Sequence, residues 1–166
     1  GCRLGHMGLN AIGRGVLTVE DSTIYGRSLV NFRSDYGSTW EGEVVIRNTR
    51  WVPACGEECR PHLISVQNDG MHDFGYPCSM PREVTIEGVF VDDSNHPEEY
   101  DGLYLFSDPD RRAAATEELP PLSARPFPYA KTETVRVKGL TTASGREPQI
   151  SSNAELREQV TVVDEV

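Results

Sequence analysis

The chain has 166 residues, of which 37% are hydrophobic and 25% are charged, and its 26 acidic and 16 basic side chains give a formal net charge of -10. This length fits one domain, or two at most, and the composition is typical of a globular protein rather than a disordered one. The acidic balance does not suit general binding to nucleic acid or anionic membranes. The sequence contains no apolar run of about 18 residues, which is the length that predicts a membrane span.

The first residues, Gly-Cys-Arg-Leu-Gly, lack the charged and apolar regions of a signal peptide. Glycine at the first position predicts a fragment or a processed form of a longer protein. In that case the missing signal peptide decides nothing about secretion.

Four segments of the chain align without gaps, at residues 15–26, 42–53, 82–93 and 133–144. Each contains an apolar residue, a variable residue and then Val or Ile, in the pattern of a short alternating β-strand. The Val or Ile positions are Val19, Ile46, Ile86 and Val137. Val162, followed by Asp164, predicts a fifth, partial copy.

A polar or glycine residue follows the first strand of each copy, at Asp21, Asn48, Gly88 and Gly139. These residue types tolerate the left-handed backbone conformation, which predicts a structural bend at this position. A second strand motif follows, starting at Leu29, Leu63 and Leu103. An earlier copy of this second motif begins at Leu9, and a degenerate later copy surrounds Ile150.

Each unit therefore predicts a strand, a turn, a second strand and a loop, and only residues 111–119 and 154–159 favour a helix. A unit with a minimum of about 25 residues cannot bury its apolar face alone, so it must stack on its neighbours. The repeated pattern resembles the pectin-lyase-like family of right-handed parallel β-helices. The competing prediction is an antiparallel β-sandwich, although the strands lack Asn-Gly hairpin turns.

The resemblance implies a single all-β domain over residues 1–166, a solenoid of about four coils that belongs to a longer helix. Its coils start near residues 16, 43, 83 and 134, with a partial coil at 158–166. Long loop insertions are predicted at residues 53–62, 68–81 and 107–131, and the first coil is predicted to be uncapped. In solenoids such insertions collect on one face and carry the function.

The cysteines of these loops leave three alternatives open. Cys55, Cys59 and Cys78 form one disulfide, remain free or buried thiols, or bind a metal with nearby histidines. The spacing does not match a standard four-ligand zinc pattern. Cys2 is left over in each case.

Aligning the second motif puts Asp35 and Asp69 in the same position on adjacent coils, about 5 Å apart by strand spacing. Two carboxylates this close suit the acid and the nucleophile of glycoside cleavage, or calcium ligands in a lyase-like site. Arg33 lies near the same edge and suits a uronate carboxylate, and His72 suits a general base. The alternative is that both aspartates cap backbone N–H groups of turns.

Further residues are predicted to bind substrate, through aromatic stacking or charge. They are Tyr36, Trp40, Asp73, Phe74, Tyr76, Asp101 and Arg111. The remaining strand aromatics, Trp51, Phe90 and Phe106, are predicted to lie in the core. The polygalacturonase signatures occur only as imperfect fragments in the wrong order, so that mechanism is not carried over.

The resemblance implies a carbohydrate-binding or carbohydrate-processing segment of a secreted or cell-envelope bacterial protein, related to polysaccharide lyases or glycoside hydrolases. Its partner is a polysaccharide or oligosaccharide, no cofactor is predicted, and calcium is the alternative. The competing function is a non-catalytic structural or adhesin-like solenoid module that binds a protein partner. Self-association or a missing segment is expected to cover the open N-terminal coil.

Overall fold

The computed structural model describes residues 3–4, 9–10, 14–32, 40, 42–54, 61–66, 79–109 and 131–164. This part of the chain is mostly β, with parallel sheets and one short helix. The elements in chain order are β1 (Arg3–Leu4), β2 (Leu9–Asn10), β3 (Val16–Glu20), β4 (Thr23–Gly26), β5 (Ser28–Asn31), β6 (Glu43–Arg47), β7 (Arg50–Pro53), β8 (His62–Ser65), β9 (Glu83–Val91), β10 (Tyr104–Phe106), β11 (Thr134–Thr142), α1 (Ala154–Gln159) and β12 (Thr161–Asp164).

The strands form two sheets. The larger sheet has the order β1-β4-β7-β9-β11-β12, and in it β3 also pairs with β6 and β6 with β9. The smaller sheet has the order β10-β8-β5-β2. All the strand pairs of the described residues are parallel, so the competing antiparallel β-sandwich is wrong for this part of the chain.

The gapless alignment of the four repeats matches the register of the larger sheet. Val19 pairs with Ile46, Ile46 with Ile86, and Ile86 with Val137. Because parallel partners in register share one face of a sheet, these side chains form one row. We call it the inner row, since Val19, Ile46 and Ile86 are buried in the core.

The predicted register is wrong by two residues at two places. Val162 pairs with Val135, which leaves Asp164 beside Val137, and Phe106 pairs with Ile64, so that Leu105 rather than Leu103 lies beside Leu63. A two-residue shift keeps every side chain on its original face, so an alternating pattern does not distinguish the two registers. In β2, Leu9 pairs with Val30, one residue from the predicted position.

The predicted bend is confirmed at all four positions. Asp21, Asn48, Gly88 and Gly139 have φ values of 47°, 45°, 61° and 70°. They lie beside one another in the stack, since Asp21 N donates to Arg47 O and Asn48 N donates to Glu87 O. A Cβ atom on Gly88 would lie 3.0 Å from Asn48 Oδ1, so a side chain at position 88 would be crowded by its neighbour in the stack.

The core contains the inner row and both faces of the smaller sheet, where Leu29, Val30, Leu63 and Ile64 are fully buried. Trp51 and Phe106 are also fully buried, as predicted. The core prediction for Phe90 is wrong, because its side chain is 39% exposed. Phe90 lies between the buried residues Val89 and Val91 and therefore points to the opposite face of the strand.

The predicted helix at 154–159 is confirmed as α1. The Asn153 side chain caps its first turn by accepting from Leu156 N at 2.9 Å. Leu156 is fully buried and joins the core. Lys131 Nζ contacts Glu155 Oε2 at 2.7 Å and fixes the helix to the start of β11.

Candidate functional site

All four cysteines and most of the predicted site residues lie outside the described residues. These site residues are Arg33, Asp35, Tyr36, Asp69, His72, Asp73, Phe74, Tyr76 and Arg111. The alignment of Asp35 with Asp69 uses the register of β5 with β8, in which Val30 pairs with Ile64. The roles of these residues stay predictions.

Trp40 is described and lies in the core. Its ring stacks on Phe32 at a centroid distance of 6.2 Å, and its Nε1 donates to Glu43 O at 2.9 Å. Only 9% of the residue is exposed. This placement does not support the predicted stacking on a sugar, because the indole is already covered by protein.

Asp101 is exposed and belongs to a group of polar residues in the loops that follow β9 and β11. We call this group the β9–β11 loop cluster. Its members are Asp92, Asp93, Ser94, His96, Tyr100, Asp101, Ser144 and Arg146. The two loops are closely packed, since a Cβ atom on Gly102 would lie 3.1 Å from Glu147 O.

The centre of this cluster is Asp93, whose side chain is fully buried. Its carboxylate accepts from Ser144 N at 2.8 Å, from Ser144 Oγ at 2.7 Å and from Tyr100 Oη at 2.8 Å. A buried carboxylate is tolerated only when its oxygens are hydrogen-bonded. Asp93 therefore ties the loop after β9 to the loop after β11, and its contacts are those of a structural residue.

Tyr100 is a buried partner of Asp93, and the ring of His96 stacks on it at 4.8 Å. Burial, followed by the hydrogen bond to Asp93, raises the pKa of the Tyr100 phenol above its ordinary value of 10.0. The phenol stays neutral at physiological pH and acts as a hydrogen-bond donor. It is therefore poorly suited to serve as a catalytic base.

Asp92 lies at the surface beside this buried network. Ser94 Oγ donates to Asp92 Oδ1 at 2.7 Å, and Arg50 Nη2 donates to Asp92 Oδ2. These hydrogen bonds, with that of Ser94 the larger cause, hold the pKa of the Asp92 carboxyl below its ordinary value of 3.8. Asp92 is therefore ionised at neutral pH and orients the Arg50 guanidinium.

We expect the titration of Asp92 to respond to its two partners. Ser94→Ala and Arg50→Ala should each raise the pKa of Asp92, as measured by NMR of the carboxyl carbon. Because the folded-state pKa lies below the unfolded-state value, the stability contributed by this carboxylate is present above pH 3.8. It is lost as the pH falls through the folded-state pKa.

Arg47→Ala provides the control for this titration, since Arg47 Nε pairs with Glu87 at 3.1 Å on the same sheet. The pKa of Asp92 should be the same in this variant as in the wild type. An Asp92 pKa that does not move in Ser94→Ala would contradict the hydrogen-bond explanation.

Arg50 also has an aromatic neighbour. Its register partner on β9 is Phe90, and Thr23 and Thr141 continue the same exposed row on β4 and β11. The side chain of Arg50 is 48% exposed. Its Nε and Nη1 groups have no partner among the described residues. We call Thr23, Arg50, Phe90 and Thr141 the Arg50–Phe90 surface.

This surface suits ligand binding better than bond cleavage. A guanidinium with free donors recognises carboxylates in a bidentate manner, and an exposed aromatic ring offers an apolar face. The sequence analysis did not select Arg50, and it assigned Phe90 to the core. The signal that was available is the alternation around Val89 and Val91, which places Phe90 on the outer face.

Within the described residues, no three or more His, Cys, Asp or Glu side chains are grouped to hold a metal ion. No helix of this part of the chain is long and apolar enough to cross a membrane. Comparisons with protein-family models, with curated proteins and with solved structures gave no match.

Proposed function

We propose that the chain is a right-handed parallel β-helix whose coils are stacked in register. The pairing of Val19, Ile46, Ile86 and Val137 across four strands supports this proposal. The row of left-handed residues supports it as well, because each repeat bends at the same level. Parallel strands joined by crossovers are right-handed in nearly all proteins, which favours that hand.

We further propose that this β-helix binds an acidic polysaccharide at the Arg50–Phe90 surface. The single observation that carries the proposal is the register pairing of Arg50 with Phe90 on an exposed face. The guanidinium would bind a uronate carboxylate through Nε and Nη1, while Asp92 holds Nη2. The ring of Phe90 would cover the apolar face of the adjoining sugar, and Thr23 and Thr141 offer hydroxyl groups on either side.

The proposal includes a secreted or cell-envelope location, which rests on the resemblance to the pectin-lyase-like family. Cleavage of the polysaccharide by Arg33, Asp35, Asp69 and His72 stays a prediction of the sequence. The second candidate function is a structural or adhesin-like module.

We expect isothermal titration calorimetry to detect binding of oligogalacturonates to the wild-type chain and no binding of neutral oligosaccharides of equal length. Arg50→Ala should lower the affinity for the acidic ligand by about 10-fold to 100-fold, because a hydrogen-bonded charge is lost. Phe90→Ala should weaken it by a smaller factor, since the ring contributes only apolar contact.

Arg47→Ala is the matched control for this experiment. It removes the same charge from the same sheet, but Arg47 pairs with Glu87 in the register of β6 and β9 and has no aromatic neighbour there. The affinity of the Arg47→Ala variant for oligogalacturonates should stay close to that of the wild type. Equal losses in Arg47→Ala and Arg50→Ala would indicate general charge attraction, and no binding at millimolar ligand would overturn the proposal.

A further inference from the structure

The strand β11 connects two outer faces of the protein. Thr141, near its end, belongs to the Arg50–Phe90 surface. Arg136 and Lys138 lie in its first part, before the bend at Gly139. Because these two cations flank a residue of the inner row, both side chains point to the outer face of the sheet. One strand therefore leads from the Arg50–Phe90 surface, round the bend, to a pair of cations.

Neither of these cations is neutralised by contact with a neighbouring acid. Lys138 lies in register with Glu87, but the Glu87 carboxylate pairs with Arg47 Nε at 3.1 Å on its other side. Arg136 lies in register with uncharged residues of β9 and β12. Within the described residues, Arg136 and Lys138 form no ion pair. In a chain with a net charge of -10, this pair suits a ligand that brings its own negative charge.

The bend between the cations and the Arg50–Phe90 surface carries no side chain on β11. At this level of the stack β3 has Asp21 and β6 has Asn48, whereas β9 and β11 have Gly88 and Gly139. Gly139 is exposed, and a Cβ atom added to it would make ordinary contacts, at 3.7 Å to Gly88 N and 3.8 Å to Gly88 Cα. A ligand that crosses the bend along β11 therefore meets neither a side chain nor a charge at this position.

We propose that Arg136 and Lys138 form a second subsite for the acidic polysaccharide of the Arg50–Phe90 surface, reached by a polymer that crosses the bend at Gly139. This inference rests on the proposed function and extends it from one carboxylate to a longer segment of the polymer. A polyuronate suits two separated cationic subsites, because every sugar carries a carboxylate. The guanidinium of Arg136 and the ammonium of Lys138 each bind one of these carboxylates.

The spacing of the strands sets the length of polymer that joins the two subsites. From Arg50 to Thr141 the path crosses two strand spacings, and from Thr141 to Arg136 it follows five residues of β11, which gives about 25 Å in total. Beyond Arg136 the outer face becomes acidic, since the next row of the sheet contains Glu83. The bound segment therefore ends at Arg136, and a trisaccharide is too short to span both subsites.

Calorimetry with oligogalacturonates of two lengths tests the second subsite on the full chain. We expect the wild type to bind hexagalacturonate roughly tenfold more tightly than trigalacturonate, because two exposed ion pairs are added. Arg136→Ala combined with Lys138→Ala should lose most of this gain and bind the trimer as the wild type does. The gain that remains is the small statistical factor of a longer ligand with several binding registers. Circular dichroism checks that each variant keeps the fold.

Two substitutions at the bend test the path without touching the cations. Gly139→Asn and Gly139→Asp place side chains of nearly equal size in a conformation that Asn48 and Asp21 already adopt, so both variants should fold. Gly139→Asp should bind the hexamer roughly twofold to fivefold more weakly than Gly139→Asn, because the polymer meets an added carboxylate. The difference for the trimer should be smaller, since Arg50 lies about 10 Å away, beyond the Debye length of about 8 Å at physiological salt.

Arg14→Ala combined with Arg82→Ala is the matched control for the loss of two charges. Both arginines are exposed and precede strands of the same sheet, on the far side of the acidic row from the bend. The affinity of this control for the hexamer should match that of the wild type.

The possible failures of the second subsite and of the proposed function are distinct. A hexamer that binds no more tightly than the trimer would overturn the second subsite alone. The same conclusion would follow from equal losses in the control and in the variant that lacks Arg136 and Lys138, or from equal hexamer affinities of Gly139→Asn and Gly139→Asp. Absence of binding of both oligomers to the wild type would overturn the proposed function and the second subsite with it.

Discussion

Replacing Asp93 with alanine should lower the free energy of unfolding by about 3–4 kcal/mol. The substitution leaves the buried Tyr100 hydroxyl and the two part-buried donors of Ser144 without their acceptor. It also disconnects the loop after β9 from the loop after β11. Urea denaturation followed by circular dichroism measures this change, which is a large share of the stability of a domain this size.

Asp92→Ala is the control, since it removes the same group from the neighbouring residue. Asp92 is near the surface and contacts Ser94 and Arg50, so its loss should cost less than about 1 kcal/mol. Equal costs for the two variants would show that the buried network contributes little. Asp93→Asn should fall between them, because the amide keeps one acceptor oxygen but turns its N–H₂ toward other donors.

Replacing Trp51 with alanine should destabilise the fold by about 3–5 kcal/mol. Trp51 is fully buried and pairs with Ile24 on one side and Val91 on the other. Its Nε1 donates to Gly26 O at 3.2 Å. The variant therefore opens a cavity between three strands and also removes the donor to Gly26.

Phe90→Ala is the control for this variant, because it truncates an aromatic side chain on the adjacent strand. Phe90 is 39% exposed, so its loss should cost less than about 1 kcal/mol. Thermal denaturation of both variants measures the difference. A larger cost for Phe90→Ala than for Trp51→Ala would contradict the assignment of inner and outer faces.

The sequence predicted the stacking of the repeats because two independent constraints coincide. The Val and Ile positions must share one face to be buried, and the residue after them must adopt a left-handed conformation. Val19, Ile46, Ile86 and Val137 satisfy the first, while Asp21, Asn48, Gly88 and Gly139 satisfy the second. Where only alternation was available, as in β10 and β12, the register was wrong by two residues.

Phe90 was assigned to the core because it is an aromatic residue in a strand, and the face that it occupies was not considered. Counting by twos from Ile86 would also place Phe90 on the buried face, but the bend at Gly88 intervenes. After the bend, the buried residues are Val89 and Val91. The buried positions also change from even to odd numbers between Ile46 and Trp51. The alternating pattern of buried and exposed residues therefore has to be counted anew after each bend.

Of the predicted site residues, Trp40 and Asp101 lie in the described part of the chain, and the others stay predictions. Asp101 was selected and lies in the β9–β11 loop cluster, whereas Trp40 was selected and lies in the core. Arg50 was not selected, because its neighbours Phe90 and Asp92 are 40 or more residues away in sequence. A register has to be known before such pairs can be identified.

The register of the larger sheet also has a consequence for engineering. From Val16 to Glu43, from Glu43 to Glu83 and from Glu83 to Thr134, the chain length per repeat increases at each step while the paired strands stay aligned. The entropic cost of closing a longer loop grows only slowly with its length. The segments that connect the paired strands can therefore be shortened, exchanged or replaced by foreign peptides one at a time, while the strands serve as an unchanged scaffold.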